Sequence, residues 1–494
     1  MKRKLAILAM IALTIAALAS CSNNGASDGT TTNAVPDDGV QETTQEDALD
    51  ARKSVPDNVP SLDFQGAKFR IVTQTPHRYD VIPETEGEVI SDAIYRRNTE
   101  IEERFNISID VYDDTYEKIN VYAEKSILAQ DNAFDLFAGQ AVATSALVLK
   151  GYMLPWQEVK YIDFSQKWWS RSTVDDLTVN GKTYVAIGDF SLSALYTTYC
   201  MFFDKTKAAD YALPDMYALV EQGKWTLDTL SDLTKNIYTD LNGNGQKDVD
   251  DYFGFATDPN SNLDAYLWAF DNPVMRKNAA GIPELVIKTE KIHIICEKLY
   301  DLLFNNQGSY SSYKYVGRYG YSAALGIDFF EAGKCLFANG FIGNSISDFR
   351  GVQNDYGIIP YPKFDEKQER YLTMADGQHA VLTVPLTAQN LDMIGAVTET
   401  LCAESWKTVF PAYYDVALKV KEVRDPQSVA MIDLIVDGRV FDFGYIYDNW
   451  QGMSFCLEFI FNKGNSNFES YYEKNEVKVR KHYANVLKCF DVME

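Results

Sequence analysis

The chain has 494 residues, a formal charge of −24 and 46% hydrophobic residues. That length supports two or three packed domains. The acidic balance argues against nucleic acid, whose affinity rests on phosphate neutralisation, and disfavours anionic ligands. Seven cysteines and four histidines are scattered and show no CxxC, which points away from a disulfide framework or a zinc site.

The first element is an export signal. Lys2-Arg3-Lys4 precedes the apolar run Leu5–Leu18, and small residues follow in Leu18-Ala19-Ser20-Cys21. The run is too short for a bilayer span, which takes roughly 20 apolar residues. A cysteine beyond the cut site resembles a bacterial lipobox. That resemblance implies signal residues 1–20, a lipid on Cys21, and a location on the outer face of the cell membrane. Residues 21–59 are rich in Ser, Asn, Gly, Thr, Asp and Glu and read as a disordered tether.

The body follows. Phe69-Arg70-Ile71-Val72 reads as a strand, Ile90–Phe105 as a helix and Ile107–Val111 as a strand. Ile119–Leu128 is helical, Phe134–Phe137 a short strand and Ala141–Leu149 a helix. This alternation implies an α/β lobe with a parallel sheet, where ligands bind at the carboxyl ends of strands. Asn180-Gly181 joins two β-rich runs as a hairpin turn. A second lobe is expected over 195–371, with strands at Tyr252–Ala256, Leu285–Ile287 and Cys335–Ala338. Helices are expected at Leu263–Phe270 and Ile292–Leu303. Thr226 caps a helix Leu227–Tyr238, with Trp225 as its staple. Ala380–Val384 returns the chain to the first lobe, which comprises 60–194 plus 372–494. The tail is helical at Leu391–Thr408, Gln427–Val436, Ser454–Phe461 and Ser470–Leu487.

Residues 240–251 carry oxygen side chains at calcium-loop positions, in Asp240, Asn242, Asn244, Asp248 and Asp251. Gly245 stands at the sharp turn, and Gln246 offers its backbone carbonyl. An all-oxygen donor set favours Ca²⁺ in a structural role. Asp251 replaces the usual terminal Glu. The competing reading is a polar turn built on Asn-Gly-Asn-Gly.

Catalytic signatures are absent: no GxSxG, HExxH, Walker A or strand-borne GxGxxG occurs. Asp175-Asp176 and Asp250-Asp251 are acid pairs of the kind that arise freely in an acidic chain. Aromatics in polar contexts are candidate sugar-stacking residues: Trp168, Trp169, Trp268, Phe341 and Trp450. Nearby Asp271, Asp348, Arg350, Asp376 and His379 are candidate hydroxyl partners. Taken singly, packing or loop anchoring explains each of them better than ligand contact does.

The order of several segments resembles an extracellular solute-binding lipoprotein of a bacterial carbohydrate ABC transporter (solute-binding protein family 1). Its carriers are the lipobox, Asp92–Asn98 with Glu102–Ile107, Trp168-Trp169, Gly223–Thr226, Asp240–Gly254, Tyr356–Lys363 and Arg439–Asp442. The resemblance implies a two-lobed, type II periplasmic-binding-protein-like α/β fold with a helical C-terminal region. It implies a monomer that binds carbohydrate, an oligosaccharide above all, between the lobes and delivers it to permease subunits. A calcium in the second-lobe loop is implied as well. Two alternatives stand beside it: a binder of a non-sugar solute such as a peptide, and an extracellular glycoside hydrolase.

Overall fold

The computed structural model describes residues 51–84, 87–258, 260–311, 325–415 and 426–492. Cys21 and the apolar run before it lie outside them. In chain order the strands are β1 (Ala67–Gln74), β2 (Ile107–Asp114), β3 (Leu136–Gln140), β4 (Met153–Leu154) and β5 (Tyr199–Asp204). Then come β6 (Tyr238–Thr239), β7 (Tyr252–Thr257), β8 (Met275–Lys277), β9 (Pro283–Leu285) and β10 (Ser309–Ser311). Last are β11 (Cys335–Phe341), β12 (Tyr356–Ile359), β13 (Thr373–Met374), β14 (Ala380–Pro385) and β15 (Arg439–Val440).

Two sheets organise the body. The first has the order β2-β1-β3-β14-β4. β1 runs parallel to β2 and β3, with Ile71 opposite Val111 and Leu136, and β14 is antiparallel to β3. β3 is buried along its whole length, as expected of a strand covered on both faces. The helix Val89–Phe105 covers the first sheet through Ile101 and Phe105 and ends on Asn106, whose φ of 49° is left-handed. The second sheet has the order β10-β7-β11-β5-β12, with β6 beside β7. β7, β10 and β11 are parallel, and β5 is antiparallel to β11 and β12. The chain reaches the second sheet after β4 and returns between β12 and β14, as the two-lobe reading expects. The two passages lie side by side: Thr198 bridges Ala375, and Thr373 Oγ1 donates to the Tyr199 carbonyl at 2.8 Å.

Several expectations are corrected. The body begins earlier than residue 60. Asp57 and Val59 are buried, and Asp57 accepts hydrogen bonds from Arg104 Nη2 (3.1 Å) and Thr400 Oγ1 (3.2 Å). The helix after Thr226 stops at Thr234, capped as expected by Thr226 Oγ1 on the Thr229 N–H (3.2 Å). Tyr238 and Thr239 instead pair with Phe253 and Tyr252. This exit is tight: a Cβ on Gly308 would come 1.8 Å from the Thr234 carbonyl oxygen. Asn180 and Gly181 do turn with positive φ (48° and 71°), but the hairpin holds only the Val179–Lys182 bridge. Ala186 goes on to pair with Leu382 of the first sheet instead.

The C-terminal helices pack on both lobes. Pro426–Asp437 buries Ile432 and Ile435 in the cluster of Phe202, Phe330 and Ile358, which belongs to the second sheet. The long helix Phe468–Cys489 packs on Ala141–Leu149 of the first lobe and on Glu290–Tyr300 of the second. Among the described residues, no helix is long and apolar enough to cross a membrane.

Candidate ligand-binding cleft

The carboxyl ends of the parallel strands in both sheets open onto one cavity of about 510 Å³. From the first sheet come Gln74 at the end of β1, Thr115–Glu117 after β2, and Gln140 closing β3. Asp376–Gln378, just before β14, completes that wall. From the second come Asp258 and Asn260–Asn262 after β7, with Gly340 and Phe341 at the end of β11. The tail adds Tyr445, Trp450, Phe455 and Glu458. This is the position that the end-of-strand rule for α/β sheets predicts.

Trp450 is the most exposed large aromatic on the cavity, with 51% of its surface free. Its ring stacks on Phe455, centroids 5.1 Å apart and planes 18° apart. Asn449 and Trp450 have left-handed φ values of 45° and 61°, a conformation that costs a bulky residue roughly 1–2 kcal/mol. Buried Asp448 holds that turn by accepting from the N–H groups of Gly452 (2.9 Å) and Ser454 (3.1 Å).

Polar groups line the same cavity or lie just behind its wall. Tyr199 donates its hydroxyl to Asp376 Oδ2 at 2.6 Å and lies 2.7 Å from Ser261 Oγ. Tyr445 accepts the Gly377 N–H at 2.8 Å. Asp258 accepts from the Asn260 N–H (3.1 Å) and from the Asn262 amide, and burial pushes its carboxyl well up. Burial, and then the charge of Asp376, pushes Glu458 up to about 7. Its neighbour Asp264 is raised by burial and by Glu458, and accepts the N–H groups of Leu457 (3.0 Å) and Glu458 (3.2 Å). Gln140 is 6% exposed, and its Oε1 has no partner within the protein.

The structure brings together three of the residues singled out in the sequence: Phe341, Asp376 and Trp450 all line the cavity. Phe341 is half-buried against Tyr199, with ring centroids 4.9 Å apart. The others do not join them. Trp168 and Trp169 are buried in the first lobe, and both indole N–H groups donate to Glu399, at 2.8 and 2.9 Å. Trp268 is buried, with Nε1 on Asp442 Oδ2 at 2.8 Å. It and Asp271, which is paired with Arg276, border a separate cavity of about 300 Å³. Asp348 accepts from the Asn344 amide at 2.9 Å, and Arg350 is exposed in the turn that follows. His379 lies fully buried beneath the cleft wall with Nδ1 2.7 Å from the Asp376 carbonyl, and burial lowers its pKa to about 4. Gln74, Gln140, Asp258 and Glu458 were not singled out in the sequence. The first three follow apolar strand runs directly, which is the signal that finds them. Glu458 is a lone acid in the apolar run Cys456–Phe461.

The loop 240–251 connects β6 to β7, so the expected leading helix is replaced by a strand. Asp240 accepts the N–H groups of Gly243 (2.6 Å) and Gly245 (2.8 Å). The amides of Asn242 and Asn244 donate to Asp248, at 3.1 and 2.6 Å for Oδ2. Asp251 is buried and takes the Tyr238 hydroxyl (3.0 Å) and the Asp248 N–H (3.1 Å). Gln246 donates its N–H to Asn244 Oδ1 at 2.7 Å. Among the described residues, no three His, Cys, Asp or Glu side chains gather as a metal centre. A cation in this loop would draw Asp240 and Asp248 away from these hydrogen bonds.

No protein-family model and no curated protein matches the chain. Solved structures do. The ABC substrate-binding protein Lmo0181 from Listeria monocytogenes, in complex with cycloalternan, is 12% identical with a TM-score of 0.54, covering 84% of this chain and 98% of its own. The GacH receptor of Streptomyces glaucescens, solved unliganded and with acarbose, is 12% identical with a TM-score of 0.53, covering 87% and 100%. The maltose/maltodextrin-binding domain MalE from Bdellovibrio bacteriovorus, bound to maltotriose, is 12% identical with a TM-score of 0.54, covering 84% and 100%. The chain therefore shares with these proteins a two-lobed α/β fold over nearly its whole body.

Proposed function

We propose that the protein is a non-catalytic carbohydrate-binding protein that captures an oligosaccharide in this cleft and delivers it to an ABC importer. The observation that carries this reading is the exposed face of Trp450, stacked on Phe455 in a cavity that acid and amide side chains also line. Sugar rings offer apolar C–H faces to such a platform and hydroxyl donors to such acceptors. The volume of about 510 Å³ suits a short oligosaccharide. Solved relatives in fold bind cycloalternan, acarbose and maltotriose. A peptide binder would need cationic groups for a carboxylate terminus, and among the described residues none lines the cavity.

Calorimetry of residues 48–494 against a glycan panel tests the reading, with product analysis alongside. One-to-one binding of an oligosaccharide without turnover is the expected result. Hydrolysis products would replace the reading with that of a glycosidase.

Two further assignments belong to it. The lipid on Cys21 would hold the protein beside its permease on the outer face of the membrane, and tethering raises local concentration there. Labelling with a fatty-acid analogue should mark the protein, and Cys21→Ala should remove the label. Ca²⁺ would stiffen loop 240–251, whose five oxygen-bearing side chains sit within one exposed turn apart from buried Asp251.

A further inference from the structure

The acidic and basic side chains that line the cleft are all carboxyls among the described residues. Glu117, Asp258, Asp376 and Glu458 border it, and among the described residues no Lys, Arg or His side chain does. These acids are not gathered as a metal centre. Glu458 and Asp376 lie close enough for the charge of one to act on the other. A second feature points the same way. Gln140 is nine-tenths buried at the cavity wall, and its amide oxygen lacks a donor. A buried acceptor without a partner is unfavourable until something donates to it. The exposed face of Trp450 adds a surface that attracts cations.

We propose that the cleft selects carbohydrates bearing a protonated amine, with Glu458 and Asp376 accepting the amine and Gln140 accepting a neighbouring hydroxyl or N–H. The proposal rests on the carbohydrate-binding reading above. Neutral hydroxyls satisfy acceptors of this kind, but an ammonium group makes the stronger charge-assisted bonds. Uronates and sulfated sugars would meet carboxyls and, among the described residues, no cation to pair with. Burial and Asp376 hold Glu458 near the point where it takes up a proton at neutral pH, so a cationic ligand would draw that proton off.

The test compares four ligand sets by calorimetry: fully deacetylated chito-oligosaccharides, their N-acetylated twins of equal length, malto-oligosaccharides and oligogalacturonates. Deacetylated ligands should bind one-to-one and about tenfold or more tighter than their acetylated twins. The margin should shrink with added salt. Glu458→Gln should reduce the margin, which non-specific attraction to the acidic surface would not do, and its melting curve reports that it folds. Equal or tighter binding of acetylated or neutral sugars overturns this proposal and leaves the carbohydrate reading standing. So does binding of oligogalacturonates at matching strength. Failure of every sugar to bind overturns both.

Discussion

The Trp450 ring lies over that of Phe455, 5.1 Å away and tilted by 18°, while half of its surface is exposed at the border of the cleft. The backbone at Trp450 is left-handed, and the Asp448 turn beneath it holds it there. An exposed, pre-positioned indole loses little freedom when a ring settles on it.

Trp450→Ala should therefore weaken oligosaccharide binding by about 1.5 kcal/mol, roughly tenfold. The melting temperature without ligand should hardly move, because the ring is only half covered. Calorimetry and thermal scans on one preparation check both. An unchanged affinity would remove Trp450 from the site.

Trp168 behaves in the opposite way. Its N–H satisfies one oxygen of Glu399, whose other oxygen takes Trp169. Trp168→Phe leaves a buried carboxylate oxygen unmet and should cost about 1–3 kcal/mol of stability. Ligand affinity should stay as it was, and denaturant unfolding together with calorimetry separates the two effects.

Glu399 also predicts a pH dependence. Burial pushes it up to about 7 from 4.5, with the two indoles pulling against that shift. Between these values the folded protein binds more protons than the unfolded chain, so this group's contribution falls as pH rises from 4.5 through 7. Glu399→Gln should flatten that part of the profile of urea midpoint against pH. A profile of unchanged slope would show that Glu399 titrates normally.

Gly308 tests the turn that separates the helix from the calcium-like loop. A Cβ there would come 1.8 Å from the Thr234 carbonyl oxygen, so backbone must move. Gly308→Ala should destabilise by more than about 2 kcal/mol, against about 1 kcal/mol for Gly281→Ala, where a Cβ meets nothing within 4 Å and only the positive φ opposes it.

Chelation is the test of loop 240–251. If it holds Ca²⁺, EDTA should lower the melting temperature by several degrees, and Asp240→Ala should abolish that sensitivity. Equal melting curves with and without EDTA would leave the loop as a hydrogen-bonded turn.

Much of the fold was legible because its signals are local. Strand and helix periodicity along 67–149 depends on which neighbours are apolar, and β1, β2, β3 and their helices follow it closely. The errors came where a partner distant in sequence decides. Residues 235–239 carry helical spacing, yet pairing with β7 takes Tyr238 and Thr239 into a strand. The tail helices looked like a continuation of the first lobe, yet Ile432 and Ile435 find their apolar partners on the second sheet.

The candidate site divides in the same way. The sequence by itself determined that the chain alternates strand and helix, carries at Cys21 a pattern that resembles a lipobox, lacks catalytic signatures and is strongly acidic. It could not tell an aromatic on a core face from one on a cleft face, because Trp168 and Trp450 both stand among polar neighbours. Tertiary structure alone decided that one clamps Glu399 and the other faces the cavity. It alone brought Gln140, Asp376 and Glu458 to one cavity across more than 300 residues of chain. The physical reason is that a site between two sheets is built from strand ends and helix turns whose proximity is set by sheet order, which no local pattern encodes.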